Sequence, residues 1–504
     1  MDIKRAKQEI KDSIEAYLTR DEFGEYKIPA IRQRPILLMG PPGIGKTQIM
    51  EQVAKECGIG LVAYTITHHT RQSAVGLPFI KEKVYDGKSF SVTEYTMSEI
   101  IASVYEKMEQ TKIKEGILFI DEINCVSETL APTMLQFLQG KTFGNQRVPE
   151  GWIIVAAGNP PEYNKSVREF DVVTLDRMKK IDIEENFDVW KEYAYKQGIH
   201  PAVISYLELR KENFYRIETT VDGKYFATAR GWEDLSQFIQ AYEALHKNID
   251  REVVYQYIQH RLIAKDFANY LELYYKYKKD YGVDDILQGH WGTITLQKVK
   301  AASFDEHLSI VSLLNGKLSG LFAECYELDA YVTKLYEYLI YYRENQEIFM
   351  VDDIWHMAEK DLEEQKQSEL LTKNAEKTLK KVIAGLEKFA MGIKGELFIR
   401  DGAFAEVKVL FEKEVDFREE RIEHTARTLQ HVFDFMEEAF GESQEMVAFI
   451  TELNANYYSA WFIRENGSDQ YYRYNKGLLF DERRLDIVRQ MDEVEGMLGN
   501  IGQL

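Results

Sequence analysis

Pro35-Ile36-Leu37-Leu38-Met39-Gly40-Pro41-Pro42-Gly43-Ile44-Gly45-Lys46-Thr47 is the stretch from which the rest of the chain can be read. The apolar run at 36–39 suits a buried strand and is too short for a helix. It ends at a glycine-rich turn that leads into a helical pattern over residues 48–56. Gly40, Gly45, Lys46 and Thr47 meet the pattern G-x-x-x-x-G-K-[ST]. Glycines let backbone N–H groups turn inward toward phosphate oxygens, and the following helix presents its own N–H groups and positive dipole end. Lys46 would reach the β and γ phosphates, and Thr47 would place its hydroxyl on Mg2+. A chance glycine-rich turn would lack both flanking elements. The expected nucleotide contacts are Gly40, Pro41, Pro42, Gly43, Ile44, Gly45, Lys46, Thr47 and Gln48.

A partner site is then expected on another strand of the same sheet. Gly116-Ile117-Leu118-Phe119-Ile120-Asp121-Glu122-Ile123-Asn124 is an apolar strand that delivers two carboxylates at its C-terminal end, where open α/β sheets bind their ligands. Asp121 can hold Mg2+ through water, and Glu122 can orient and deprotonate an attacking water. Alone, the two acids could equally cap the next helix. A third strand is expected at 152–157, ending in Gly158-Asn159-Pro160-Pro161, where a polar side chain would face the γ phosphate.

A chain of 504 residues has material for two to four domains. Its 45% apolar and 29% charged content is ordinary for a globular protein. No apolar run approaches a bilayer span, and Met1-Asp2-Ile3-Lys4-Arg5 opens a charged helix and not a leader, so a cytoplasmic setting is expected. Cys57, Cys125 and Cys325 fit neither a disulfide framework nor a metal pattern and read as small core residues. With 63 basic against 83 acidic residues, the net charge of −20 argues against a nucleic-acid backbone as main partner and favours protein partners.

In chain order, Ile10, Ile14, Tyr17 and Leu18 mark an amphipathic N-terminal helix that packs on the nucleotide domain. A buried strand is expected at 61–67, followed by His68-His69-Thr70-Arg71, histidines that lack a third metal ligand and read as loop or interface residues. Strands at 79–85 and 88–93 flank Asp86-Gly87, a strong hairpin signal, ahead of a helix at 97–108. A helix at 127–138 precedes a second turn-rich segment at 140–149. All ten prolines lie at or before Pro201, so beyond it the chain is free to run as long helices. Tyrosines at 270–281 and 326–342 recur at helical spacings that suit packing. Leu379, Val382, Ile383, Leu386 and Ala390 form one apolar stripe, and Phe433, Phe435, Met436, Val447, Phe449 and Ile450 mark a further packed helical unit. Asn466-Gly467-Ser468 reads as a turn.

Together, the phosphate loop, Asp121-Glu122-Ile123-Asn124, Asn159-Pro160 and Asp176-Arg177-Met178 resemble the motor core of AAA+ ATPases, most closely the MoxR and dynein-related branch. Residues 72–78 are similar to the stretch after the second strand in that branch, and the two hairpins fall where it carries its insertions. Residues 227–235 resemble its sensor-2 segment. The resemblance covers roughly residues 30–245 and implies an AAA+ P-loop NTPase core, a parallel sheet between helices, with a small helical lid; beyond it, the proline-free remainder is expected to form a large, mainly α-helical C-terminal region. The expected division is an N-terminal helix (1–33), an α/β nucleotide subdomain (34–185), the lid with sensor 2 (186–248) and a mainly α-helical C-terminal region (249–504) that is expected to bind the partner. The resemblance further implies ATP and Mg2+ as cofactors, Asn159 as sensor 1, Arg230 as sensor 2 on the γ phosphate, and Arg177 as a finger completing a neighbour's site. Arg168 is a second finger candidate, because residues 166–175 depart from the family pattern.

A finger acting in trans implies a homo-oligomeric ring, typically a hexamer. The expected function is ATP hydrolysis coupled to remodelling or assembly of a protein client, in that branch often one with a von Willebrand factor A domain. A nucleic-acid-dependent or restriction-type motor and a slow nucleotide-gated scaffold are the alternatives.

Overall fold

The computed structural model describes residues 1–68, 71–143, 146–163, 167–221, 223–345, 350–393 and 403–476. It divides into two compact units: Met1–Val189 with Thr228–Arg230 and Glu344–Met391, and Trp190–Ala227 with Gly231–Arg343 and Gly392–Leu504.

The first unit is built on strands β1 (Ile36–Met39), β2 (Gly60–Thr65), β5 (Gly116–Asp121), β8 (Trp152–Gly158) and β9 (Lys179–Asp182). They form a parallel sheet in the order β2-β5-β8-β1-β9. Two antiparallel ribbons stand apart from it: β3 (Pro78–Tyr85) with β4 (Lys88–Tyr95), and β6 (Thr142–Phe143) with β7 (Gln146–Arg147). The helices are α1 (Ile3–Leu18), α2 (Lys46–Cys57), α3 (Arg71–Val75), α4 (Glu99–Thr111), α5 (Ala131–Gly140) and α6 (Val172–Leu175).

Alternation along each strand explains why both faces are covered. Ile36 and Leu38 of β1, Ile117 and Phe119 of β5, and Ile153, Val155 and Ala157 of β8 point to one face, where Ala6, Ile10 and Ile14 of α1 and Ile49, Met50 and Val53 of α2 bury them. Leu37, Leu118, Ile120, Trp152 and Ile154 point to the other, against Ile100, Ile101 and Val104 of α4 and Met134, Phe137 and Leu138 of α5. Strands buried on both faces read as continuous apolar runs, which is why these were visible in the sequence. Lys179 fastens β9 to α1 through Ser13 Oγ at 2.6 Å and Glu9.

Several boundaries differ from expectation. The second strand stops at Thr65, and Ile66–His68 turns as a short 3-10 segment because Ile66 is drawn into the core. His69 and Thr70 lie outside the described residues, as do the side chains of His68 and Arg71. The fifth helix begins at Ala131, not Ser127, since Ser127–Leu130 forms a hydrogen-bonded turn and Pro132 sets the first helical turn. The hairpin at Asp86-Gly87 closes as expected, both residues adopting positive φ.

The remaining helices are α7 (Phe187–Gln197), α8 (Pro201–Leu209), α9 (Ala229–Ala244), α10 (Arg251–Tyr257), α11 (Arg261–Asp280), α12 (Val283–Leu287), α13 (Thr293–Ala301), α14 (Phe304–Glu344), α15 (Val351–Gln367), α16 (Lys373–Ile393), α17 (Ala403–Ala439), α18 (Gln444–Ala455) and α19 (Tyr457–Asn466). The region expected to be the helical lid also holds a hairpin, β10 (Arg216–Thr220) with β11 (Gly223–Ala227), whose β-branched and aromatic residues favour strands.

In the two tyrosine-rich stretches Tyr274, Tyr281, Tyr331, Tyr338 and Tyr342 are buried, whereas Tyr336 and Tyr341 face solvent, so the packing expectation holds for part of each stretch. Phe267 meets Tyr206 and Trp232 edge to face at 5.1 and 5.3 Å, Tyr206 and Trp232 are tilted against each other at 5.7 Å, and the Tyr206 hydroxyl donates to Asp266 at 2.9 Å. Leu379, Val382, Leu386 and Ala390 are buried, whereas Val447 faces solvent while its neighbours Met446, Phe449 and Ile450 turn inward. Of the three cysteines only Cys325 is a core residue; Cys57 and Cys125 stand at element ends and are half-buried. No described helix is long and apolar enough to cross a membrane.

Lys141, just past α5, is a buried lysine whose ammonium meets Gln33 Oε1 at 3.2 Å. Burial pushes it down to about 8 from an ordinary 10.5. Its folded value lies below its unfolded one, so the folded state carries the charging penalty at pH 7 and sheds it as pH rises from about 8 toward 10.5. Lys141→Met should therefore raise stability at neutral pH by about 1–3 kcal/mol, less the loss of the Gln33 contact. Thermal unfolding should find that gain shrinking toward pH 10; a gain independent of pH would show that the ammonium is not the cause.

Candidate functional site

Strand register brings three exits side by side. Met39 pairs with Gly158 and with Asp182, and Ile120 with Ala156, so β1, β5 and β8 end at one edge of the sheet. The loop leaving β1 carries Gly43 and Gly45 at φ of 75° and 92°, values a side chain would resist, and α2 starts at Lys46. Gly40 N–H donates to the Gly158 carbonyl at 3.4 Å, which ties this loop to the end of β8.

Lys46 is buried and its three donors are spoken for. Nζ donates to the carbonyls of Gly40 at 2.9 Å and Pro41 at 2.8 Å and to Asn159 Oδ1 at 2.9 Å. Burial lowers it to about 8, against the pull of Asp121, with Arg230 adding to the lowering and Glu122 opposing it. The next residue, Thr47, donates its hydroxyl to Asp121 Oδ2 at 2.9 Å. A hydroxyl and a carboxylate so close, at the mouth of a phosphate loop, are the hard oxygen donors that Mg2+ takes.

After Asp121 the chain turns sharply, with Glu122 in the left-handed region at φ 56°. Its carboxylate accepts from Thr67 Oγ1 at 3.0 Å. Arg230 opens α9, and its backbone N–H donates to the Gly43 carbonyl at 3.3 Å, so the guanidinium-bearing residue lies against the phosphate loop. Lys46, Thr47, Asp121, Glu122, Asn159 and Arg230 are thus gathered at one place. Gln48 is exposed on the first turn of α2, and Pro41, Pro42 and Ile44 form the loop wall.

Arg177 lies elsewhere. It follows α6, is exposed, and its guanidinium donates to Gln139 at the end of α5. Arg168 pairs with Glu128 at 2.6 Å. Two residues of the site were not singled out by the sequence reading: Thr67, the partner of Glu122, and Asn124, whose amide bonds the backbone of Asn159. Asn124 stood in the quoted motif with no role, and Thr67 was hidden by an expected strand. A cavity of about 480 Å³ at the outer edge of β2, lined by Glu51, Lys55, Lys107 and Glu369 among others, includes none of these side chains.

Residues 36–177 match the family described as ATPase family associated with various cellular activities (AAA). The match runs from β1 to Arg177, and the chain carries an AAA ATPase domain with a large helical extension. Among solved structures, a candidate ATPase of Cytophaga hutchinsonii is similar at 17% identity and a TM-score of 0.20, over 36% of this chain and 51%, about half, of that one. No curated protein matches the chain.

Phosphate oxygens placed at Lys46 would favour its charged form, so nucleotide binding above pH 8 should take up a proton and weaken as pH rises. Calorimetry at about pH 8.5 in two buffers of different ionisation enthalpy should then return different heats. Equal heats would remove Lys46 from the phosphate site.

Proposed function

We propose that this chain is a MoxR-like AAA+ ATPase that hydrolyses Mg-ATP in a homo-oligomeric ring, typically a hexamer, and couples the cycle to remodelling or assembly of a protein client. The gathering of Lys46, the Thr47–Asp121 pair, Glu122, Asn159 and Arg230 at the strand exits carries this reading. ATP phosphates would take over donors that Lys46 now gives to carbonyls and to Asn159, and N–H groups at the start of α2 would add to them. Mg2+, when bound, neutralises phosphate charge, with Thr47 and Asp121 as its protein oxygens. Glu122 would orient and deprotonate the attacking water, and Asn159 would hold it in line. Arg230 would face the γ phosphate from the start of α9.

Arg177 fits a role in a neighbour's site. It is exposed beside Val172 and Val173, which are 81% and 61% exposed, an apolar pair that a subunit contact would cover. A client with a von Willebrand factor A domain is the first to test, nucleic acid is not the favoured partner, and a cytoplasmic setting is part of the proposal. One observation favours a second reading: Thr67 holds the Glu122 carboxylate, so the chain could turn over slowly and act as a nucleotide-gated scaffold.

Light scattering with ATP and Mg2+ should find a ring that persists in Glu122→Gln, and Arg177→Ala should lower turnover by about 100-fold or more while nucleotide still binds. A chain that stays monomeric with ATP, and whose turnover is indifferent to Arg177, would leave the scaffold reading in front.

A further inference from the structure

One buried side chain joins the exits of β5 and β8. Asn124 lies in the turn Ile123–Cys125 that follows the left-handed Glu122, and only 3% of it is exposed. Both halves of its amide go to the backbone of one residue: Nδ2 donates to the carbonyl of Asn159 at 2.7 Å, and Oδ1 accepts the Asn159 N–H at 3.3 Å. A reciprocal pair fixes that backbone in two directions, where one bond would leave a hinge. Room for the amide depends on Gly158, where a Cβ would fall 2.6 Å from Asn124 Oδ1. The Asn124 carbonyl also accepts from the Arg168 N–H at 3.0 Å, so the segment carrying Arg168 is registered to the same turn.

What Asn124 fixes is the residue whose own side chain meets Lys46. Asn159 Oδ1 accepts from Lys46 Nζ at 2.9 Å, and its backbone has no freedom to carry that amide away while the Asn124 pair holds. We infer that Asn124 is a positioning residue of the ATPase site, holding Asn159 at the phosphate end of Lys46 and aligning the Arg168 segment with it. This rests on the ATPase reading above. Among the described residues Asn124 bonds backbone only, so it acts through Asn159 and not on the nucleotide.

An aspartate in place of Asn124 separates this role from plain support of the fold. Its carboxylate can still accept the Asn159 N–H, but it has no proton for the Asn159 carbonyl. Once protonated it has one, and burial raises the pH at which that happens. The test uses the full chain as wild type, Asn124→Asp, Asn124→Ala, Gly158→Ala and Lys46→Ala. Thermal unfolding, affinity for a fluorescent ATP analogue and steady-state hydrolysis are followed from about pH 5.5 to pH 8.5.

Asn124→Asp should bind the analogue within about threefold of wild type yet lose about 10- to 100-fold in kcat near pH 8, and that deficit should shrink as pH falls. Asn124→Ala should lose kcat at every pH. Gly158→Ala, which presses on the amide from the other side, should lose kcat too and reads the same clamp if a substitution of Asn124 prevents folding. Wild-type kcat in folded Asn124→Asp and Gly158→Ala would overturn the inference, as would a loss that ignores pH and runs parallel to lost affinity. Wild type turning over no faster than Lys46→Ala would instead overturn the ATPase reading, and the inference with it.

Discussion

The site depends on a buried ammonium whose partners among the described residues are all neutral. Lys46 Nζ is met by two main-chain carbonyls and the Asn159 amide oxygen, neutral groups that satisfy its donors without cancelling its charge. Asp121 and Glu122 are near enough to raise its pKa, but burial outweighs them. A cation kept this way is underpaid in its own fold, and an anion arriving at the loop improves its situation. The sheet makes the arrangement possible: parallel register places the ends of β1, β5 and β8 together, so one ammonium can touch the loop after β1 and the residue after β8.

Three buried lysines show how much the partner decides. Burial opposes the charge on Lys191, yet Glu452 and Glu208 hold it above its ordinary value, with Glu208 Oε2 at 2.7 Å; this is a structural cation tying α7, α8 and α18 together. Lys141 has an amide oxygen and is lowered to about 8, like Lys46. The depressed value is therefore no mark of a site by itself. Lys46 differs because it sits on a loop with two positive-φ glycines, at a helix start, among strand exits, where the positive end of the helix dipole favours an anion.

How much of this was legible follows from which interactions are local. Strands buried on both faces announce themselves as apolar runs, and the phosphate loop needs its glycines at fixed spacing, so β1, β5, β8 and residues 40–47 could be read directly. Asp86-Gly87 likewise sets its own turn. Thr67 and Asn124 could not be assigned that way, because their roles depend on neighbours 55 and 35 positions along the chain. The hairpin at β10 and β11 departs from the helical lid that the resemblance implies, and the absence of proline beyond Pro201 permits a helix without requiring one. The grouping of 344–391 with the first unit has no sequence signal, since it is set by what α15 and α16 pack against, not by their own periodicity.

The turn after β5 concentrates these constraints. A left-handed Glu122 costs about 1–2 kcal/mol relative to an ordinary conformation. The kink nevertheless lets one chain segment do two things: Glu122 stays at the strand exit, where Thr67 holds it, while Asn124 folds back beneath the end of β8. The one hydrogen bond that Asn124 donates and the one it accepts, each worth about 0.5–1.5 kcal/mol, are enough to offset the strained residue. The proposed base and the sensor asparagine thus share one turn, and neither can be repositioned without disturbing the other. A loop that presented Glu122 without the kink would have no residue beneath β8 to steady Asn159.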